Sequence, residues 1–413
     1  MKTLALILLF LFVAAFSPAS PVKESMSLYG YLLDYFQGSF DVHTKESSYG
    51  NTLLVRIKAD FNPEERLRFH AEAAYYGRLG NQNLYAIYDK VGLNPERQEQ
   101  FPFNDFITQV LVDHAWGLAN LGAVDLQFGK VPIAWGSGYV FNPTAKVAPT
   151  AIFDEVTEET PGTFAIVPSY YTARSVTFTG YLAFQDRSHK TFSPSGDGEW
   201  RNVPFGFKVQ VITGSFDLSA GVIKEVFYGQ TGYERDFYLG FDLDGGFDGC
   251  GLYAESALRL PEMGFRDLYD IEESLEIVAG CHFPIPKLGT DMRLEYFHQG
   301  RGADKKSDYD LSRVISGEQL VLGENYLFLY FERYLTDYIR ISTGSLLNLG
   351  DWSLVLYPEC CWDVLGNLQI YFGASLFAGG RGNEFSGPHT VEGDQEFDII
   401  ESFSLFTRIK LSF

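Results

Sequence analysis

The chain has 413 residues, with 32 Lys+Arg against 53 Asp+Glu and a formal charge of −21, a balance that argues against nucleic acid as a partner. Hydrophobic residues make up 46% and mean hydropathy is −0.06. Beyond the N-terminus there is no apolar run of about 18 residues, so the chain does not cross a bilayer as helices. Aromatics reach 16%, with 41 Gly and only 4 Met. That combination fits a sheet with one face in lipid and one in water, and it is shared by large secreted β-sandwiches and β-helices.

Lys2 followed by the apolar run Leu4–Phe16, with Ser17 and Ala19 at −3 and −1 of a cleavage site, reads as a secretory leader over residues 1–19. The run is roughly 13 residues, too short for a spanning helix of about 20. No cysteine lies near the site, which argues against a lipid anchor. Residues 20–413 then read as one domain.

Period-two alternation recurs along this remainder. Leu53, Val55, Ile57, Ala59 and Phe61 alternate with Leu54, Arg56, Lys58 and Asp60. Leu67, Phe69, Ala71, Ala73 and Tyr75 alternate with Arg68, His70, Glu72, Ala74 and Tyr76. Phe205, Phe207, Val209 and Val211 alternate with Gly206, Lys208 and Gln210. Strands are expected near 27–37, 49–62, 66–77, 105–116, 122–131, 162–169, 172–186, 203–213, 215–226, 235–243, 248–259, 272–283, 289–300, 325–334, 338–347, 352–359, 367–377 and 400–413. The count is about 18, with 16 as the alternative, and the fold class is an all-β transmembrane antiparallel barrel. Short turns follow the even strands. Longer loops (78–104, 132–161, 186–202, 301–324, 378–399) follow most odd ones, the pattern of short periplasmic turns and long extracellular loops.

The last strand ends in Phe403–Phe413, with Leu405, Thr407, Ile409, Leu411 and Phe413 on one parity. Pairing it with the first strand would leave no sheet edge in lipid. This aromatic-terminated alternation resembles the C-terminal signal of outer-membrane β-barrel proteins. The resemblance implies a bacterial outer-membrane location, with lipid and the outer-membrane barrel assembly machinery as partners. A second stretch, GKVPIAWGSGYVFNPT (Gly129–Thr144), resembles a segment of porin-like barrels in which Trp-Gly-x-Gly precedes Phe/Trp-Asn-Pro-Thr-Asp; Ala145 stands here where the Asp is usual. Trp135-Gly136-Ser137-Gly138 cannot continue a strand smoothly, and Asn142-Pro143 reads as a turn. Two arrangements stay open for this loop: packed into the lumen as a constriction, or laid over the mouth as an extracellular cap.

The water-facing parity carries charge. A hairpin turning at Asn62–Glu65 would bring Arg56 opposite Glu72, Lys58 near His70 and Asp60 opposite Arg68. Arg293 and Glu295 share one parity, and Lys208, Asp242, Glu255, Arg340, Arg408 and Lys410 also read inward. Such charges either set selectivity in a wet lumen or tie the wall together as ion pairs. The candidate pore-lining and constriction set is Arg56, Lys58, Arg68, His70, Glu72, Trp135, Asn142, Asp154, Glu155, Glu158, Lys208, Arg293, Glu295 and Arg340, with Tyr76, Tyr181 and Tyr253 as inward aromatics. Cys250 and Cys281 fall at the short-turn rim of adjacent strands with matching parity, positions from which they could bond; the compartment is oxidising. Cys360-Cys361 read as part of a turn, and no His or acid cluster at ligand spacing points to a metal. Gly136-Ser137-Gly138 is no nucleophile elbow. The seven His do not cluster in sequence, although strand-borne pairs could meet across a barrel wall.

The expected function is a non-enzymatic channel, without cofactor or metal, that passes small polar solutes passively and prefers cations at an acid-rich mouth. The rival readings are a plugged barrel with a surface-adhesion or envelope-assembly role, and an outer-membrane hydrolase.

Overall fold

In the computed structural model the described residues are 25–42, 45, 47–80, 107–147, 160–172, 175–185, 200–229, 232–261, 271–315, 319–386, 389–391, 395–397 and 402–413. They form β1 (Met26–Phe40), β2 (Ser47–Glu64), β3 (Leu67–Gly80), β4 (Ile107–Asn120), β5 (Val124–Pro132), β6 (Gly162–Tyr171), β7 (Val176–Ala183), β8 (Phe205–Thr213), β9 (Phe216–Gly229) and β10 (Gly232–Phe247). There follow β11 (Cys250–Pro261), β12 (Leu275–Ile285), β13 (Thr290–Gln299), β14 (Asn325–Thr336), β15 (Ile339–Asn348), β16 (Leu354–Leu365), β17 (Leu368–Ala378), the small hairpin β18 (His389–Val391) and β19 (Gln395–Phe397), and β20 (Phe403–Ser412).

Eighteen strands, β1–β17 and β20, make one antiparallel sheet in which each pairs with its neighbour in the chain. The sheet closes where β20 lies between β17 and β1. Tyr31 faces Ser412 and Phe40 faces Phe403, and beyond the strand Gly30 and Phe413 exchange backbone hydrogen bonds of 2.9 and 3.0 Å. Closure satisfies both edges of the sheet, which an open sheet in lipid could not do.

The alternation sets the two faces. Phe36, Phe128, Phe164, Phe207, Phe241, Leu252, Phe372 and Leu405 point outward and are exposed, while Leu33, Leu54, Tyr76, Tyr253, Val278 and Leu346 point inward and are buried. One rim carries short joints. Asp248-Gly249 between β10 and β11 has φ of +50° and +82°, the two-residue turn whose twist matches paired strands.

Three sequence expectations need correction. The β2–β3 turn is at Glu65-Arg66, because β2 runs on through a bulge between Phe61 and Glu64. Pro63, which has no N–H for a ladder, sits in that bulge. The register therefore shifts: Lys58 faces Glu72, Asp60 faces His70, and Arg56 faces Ala74. Second, Cys360 and Cys361 lie within β16, opposite Ile341 and Arg340, and not in a turn. Third, β9 and β10 extend to Gly229 and back to Gly232, past the expected 226 and 235.

Candidate functional site

Between β5 and β6 the chain leaves the wall at Pro132 and returns at Gly162. Its described part, residues 133–147, lies on the inner face of the barrel, which decides between the two arrangements left open by the sequence. Gly136 turns it, with φ +104°; a Cβ there would sit 2.6 Å from Glu255 Oε2 and 2.7 Å from Asn142 Oδ1. The Ala145 amide donates to the Asn142 carbonyl at 3.0 Å, closing the turn expected at Asn142-Pro143.

Two wall carboxylates hold this loop, mostly by its main chain. Glu255 of β11 accepts from the amides of Ser137 (2.9 Å), Gly138 (3.2 Å) and Thr144 (2.5 Å), and from the Thr144 hydroxyl (2.7 Å). Glu295 of β13 accepts from the amides of Tyr139 (2.6 Å), Val140 (3.0 Å) and Phe141 (3.0 Å), and from the Tyr253 hydroxyl (2.8 Å). The two carboxylates are 1% and 0% exposed, so a buried charge is matched by converging donors. Side chains add contacts. Trp135 meets the Tyr181 ring edge-on at 4.8 Å and lies under the Lys208 ammonium at 5.3 Å. Phe141 stacks on Phe297 at 4.1 Å, and the Arg293 guanidinium lies 4.1 Å over Tyr139.

A further segment packs against the first. Phe385 joins Phe141, Phe297, Tyr326 and Val321 in one buried cluster. Its neighbour Glu384 accepts from the Leu322 amide (2.7 Å), the Asn348 side chain (2.6 Å) and the Tyr326 hydroxyl. Burial pushes the Glu384 carboxyl up to about 7.

On the opposite wall, Arg56 is fully buried, bonded to Glu72, to Asp113 (3.0 Å) and to Tyr76 (3.2 Å). Lys58 lies 3.3 Å from Glu72. A bulge in β4 between the pairs Glu72–His114 and Ala73–Val112 brings both Asp113 and His114 toward this group. Further round, Arg340 pairs with Glu332 at 2.9 Å and Arg408 with Glu359 at 3.0 Å. At the long-loop end, a cleft is lined by Glu225, Glu234, Asp236 and Glu276 together with Lys146 and Arg301. Lys146 reaches Glu276 at 2.7 Å and caps the Tyr238 ring at 4.3 Å.

The structure thus brings Arg56, Lys58, His70 and Glu72 together on one wall, and gathers Trp135, Asn142, Lys208, Arg293 and Glu295 around the inward loop. Arg340 reaches the loop indirectly, through Glu332 and the Tyr330 hydroxyl on it, whose ring lies 6.0 Å from that of Tyr139. Arg68 is exposed next to the β2–β3 turn, and Asp60 bonds His70 at 2.8 Å rather than Arg68. Asp154, Glu155 and Glu158 lie outside the described residues, as does the leader. Cys250 and Cys281 are free thiols on the outward face; Leu252, not Cys250, stands opposite Cys281, so the two cysteines are diagonal neighbours. Sequence reasoning left Asp113, His114, Lys146, Glu276 and Glu384 out of the candidate set. Only Asp113-His114 carried a signal: two adjacent polar residues interrupting an apolar alternation, as a bulge requires.

No family model matches this chain, and no curated protein does. Solved structures do. The OccAB3 structure of Acinetobacter baumannii aligns over 94% of this chain and 99% of its own, with TM-score 0.52 and 10% identity. A triple mutant of the Rhodopseudomonas blastica porin aligns over 94% and 100% with TM-score 0.42 and 11% identity. At such identity the likeness to OccAB3 speaks for the fold alone, a closed antiparallel barrel.

Proposed function

We propose that the protein is an outer-membrane channel of porin type, exported with residues 1–19 removed, that lets small polar solutes diffuse through a lumen narrowed by the 133–147 loop. The observation that carries this is the loop itself, folded inward and fastened by Glu255 and Glu295. A barrel that served only as an anchor has no need of a segment fixed across its bore. Arg56, Lys58, His70, Glu72, Trp135, Lys208, Arg293 and Arg340 line the path in this reading, with Arg68 at the short-turn mouth. Outward apolar residues meet lipid, and the barrel assembly machinery handles β20. Wall charges are largely paired with one another, so selectivity falls to the long-loop vestibule. There four carboxylates, Glu225, Glu234, Asp236 and Glu276, face Lys146, Arg301 and Arg259, the last paired with Asp236 at 2.6 Å, and the remaining acid excess favours cations.

One observation favours a second reading. The apolar cluster of Phe141, Phe297, Val321, Tyr326 and Phe385 occupies part of the interior, as in a plugged barrel with a surface or assembly role. Planar-bilayer recording of the folded mature chain separates the two. Ohmic steps whose reversal potential in a salt gradient indicates cation preference support the channel. Absence of steps from folded protein supports the plug.

A further inference from the structure

His70, Glu72 and His114 present one ligand atom each within 4.8 Å of one another, on the inner wall of β3 and β4. His114 Nδ1 is 3.3 Å and His70 Nε2 is 3.7 Å from the same oxygen, Glu72 Oε2. Metal–ligand bonds of about 2.0–2.1 Å in a tetrahedral site imply ligand–ligand edges of roughly 3.3–3.4 Å; the two edges to Glu72 are at or near that length, and the edge between the imidazoles, at most 4.8 Å, closes as the rings draw together on an ion.

The outer contacts are those a metal site requires. His70 Nδ1 is taken by Asp60 Oδ1 at 2.8 Å, which leaves Nε2 to face Glu72. His114 Nε2 donates to the Thr160 carbonyl at 2.9 Å, which leaves Nδ1 to face Glu72. Each imidazole is thus held by one nitrogen and turned inward by the other, the carboxylate–histidine and carbonyl–histidine arrangement that orients metal ligands. Glu72 Oε1 is bonded by Arg56, and Oε2, buried, faces both imidazoles and the Lys58 ammonium, 3.3 Å away. Trp116 stacks on His70 at 5.2 Å and fixes its plane. Two imidazoles and one carboxylate suit zinc or a similar borderline divalent ion.

We propose that His70, Glu72 and His114 form a binding site for a borderline divalent metal ion, zinc above all, at the level where the inward loop rejoins the wall. Lys58 is the competitor, its ammonium 3.3 Å from Glu72 Oε2 and its side chain 17% exposed, so it swings into the lumen when the ion enters. The carboxylates of Glu72, Asp60 and Asp113 then balance the ion together with Arg56. The proposal is independent of whether the lumen conducts.

The test is zinc chloride titrated by calorimetry into the folded mature chain in detergent. Four proteins are compared: the wild type, His70→Ala/His114→Ala, Asp60→Asn and Lys58→Met. One zinc per chain is expected, with affinity lost by ~100-fold or more in the double variant and weakened about 10–100-fold in Asp60→Asn. Lys58→Met should bind more tightly than the wild type. Resistance of the folded barrel to SDS at room temperature verifies each sample. Absence of binding to both the wild type and Lys58→Met, or unchanged affinity in the folded double variant, overturns the proposal.

Discussion

Replacing Glu295 with Gln tests whether the inward loop is held as described. Oε1 of Glu295 accepts the amides of Val140 and Phe141, and Oε2 accepts the Tyr139 amide and the Tyr253 hydroxyl. In Gln one of these oxygens becomes an amide nitrogen, which cannot accept, so about two charge-assisted bonds are lost whichever way the group turns. At about 1.5–3 kcal/mol each, the docked state weakens by ~3–6 kcal/mol. That is a ~100-fold or larger fall in the ratio of docked to undocked loop. Glu255 still holds Ser137, Gly138 and Thr144, so the release is confined to residues 139–141. Phe141 opposes it through its stack on Phe297, worth about 0.5–1.5 kcal/mol beyond area burial. Single-channel recording should show larger steps and open-channel flicker relative to the wild type, with SDS resistance of the barrel retained. Identical step size and noise in the folded variant would refute the reasoning that this carboxylate holds the loop in the proposed solute path.

Other outcomes follow from the same contacts. Arg56→Ala removes the fully buried partner of Glu72 but leaves Lys58 3.3 Å from that carboxylate, so it should destabilise the barrel by less than the roughly 3–5 kcal/mol of a buried charge left alone, seen as a lower heat-unfolding temperature on gels. Glu384, with a folded pKa raised to about 7 from an ordinary 4.5, binds its proton more tightly when docked. The docked segment is therefore most stable below pH 4.5 and loses about 3 kcal/mol as pH rises through 7, while Asp351, Tyr309, Tyr326 and Lys306 remain around it. Amide exchange at Leu322 should speed up between pH 5 and pH 8 in the wild type beyond its intrinsic pH dependence; Glu384→Gln should abolish that excess. Cys250 and Cys281 are diagonal rather than opposite, at a separation of about 7–8 Å, beyond easy bridging. Both should alkylate in denatured, unreduced protein, and a peptide pair joined through them would contradict the register.

The barrel was legible because its signal is repeated in nearly every strand: outward residues such as Phe205, Phe207 and Val209 are apolar wherever they face away from the lumen. Joint lengths then separated a rim of short turns from one that carries most of the longer loops. Register was not legible at β2–β3, because a bulge holding Pro63 moves the turn without disturbing the alternation of either strand. The inward loop was half legible. Trp135-Gly136-Ser137-Gly138 announced a bend, but its direction depends on Glu255 and Glu295, more than 100 residues away, and parity alone cannot say what a buried carboxylate will bind. The His70–Glu72–His114 group needed the β4 bulge, which turns His114 toward Glu72 while Asp113 reaches Arg56. Neither spacing nor composition carries that.

The loop's attachment has a consequence for how this protein can change over generations. Glu255 and Glu295 grip amide groups, which every residue but proline possesses. Substitutions at 137, 139 and 140 therefore leave these amide bonds in place, and cost only what the side chains add: the Ser137 hydroxyl on the Leu243 and Ala254 carbonyls, Tyr139 under Arg293, and Val140 against the Phe141 cluster. Gly136 and Gly138 are held to their identity by backbone geometry and close packing, and Phe141 by its buried stack. A lineage carrying this barrel can thus revise the side chains that its bore presents by single substitutions in a few codons, without rebuilding the wall.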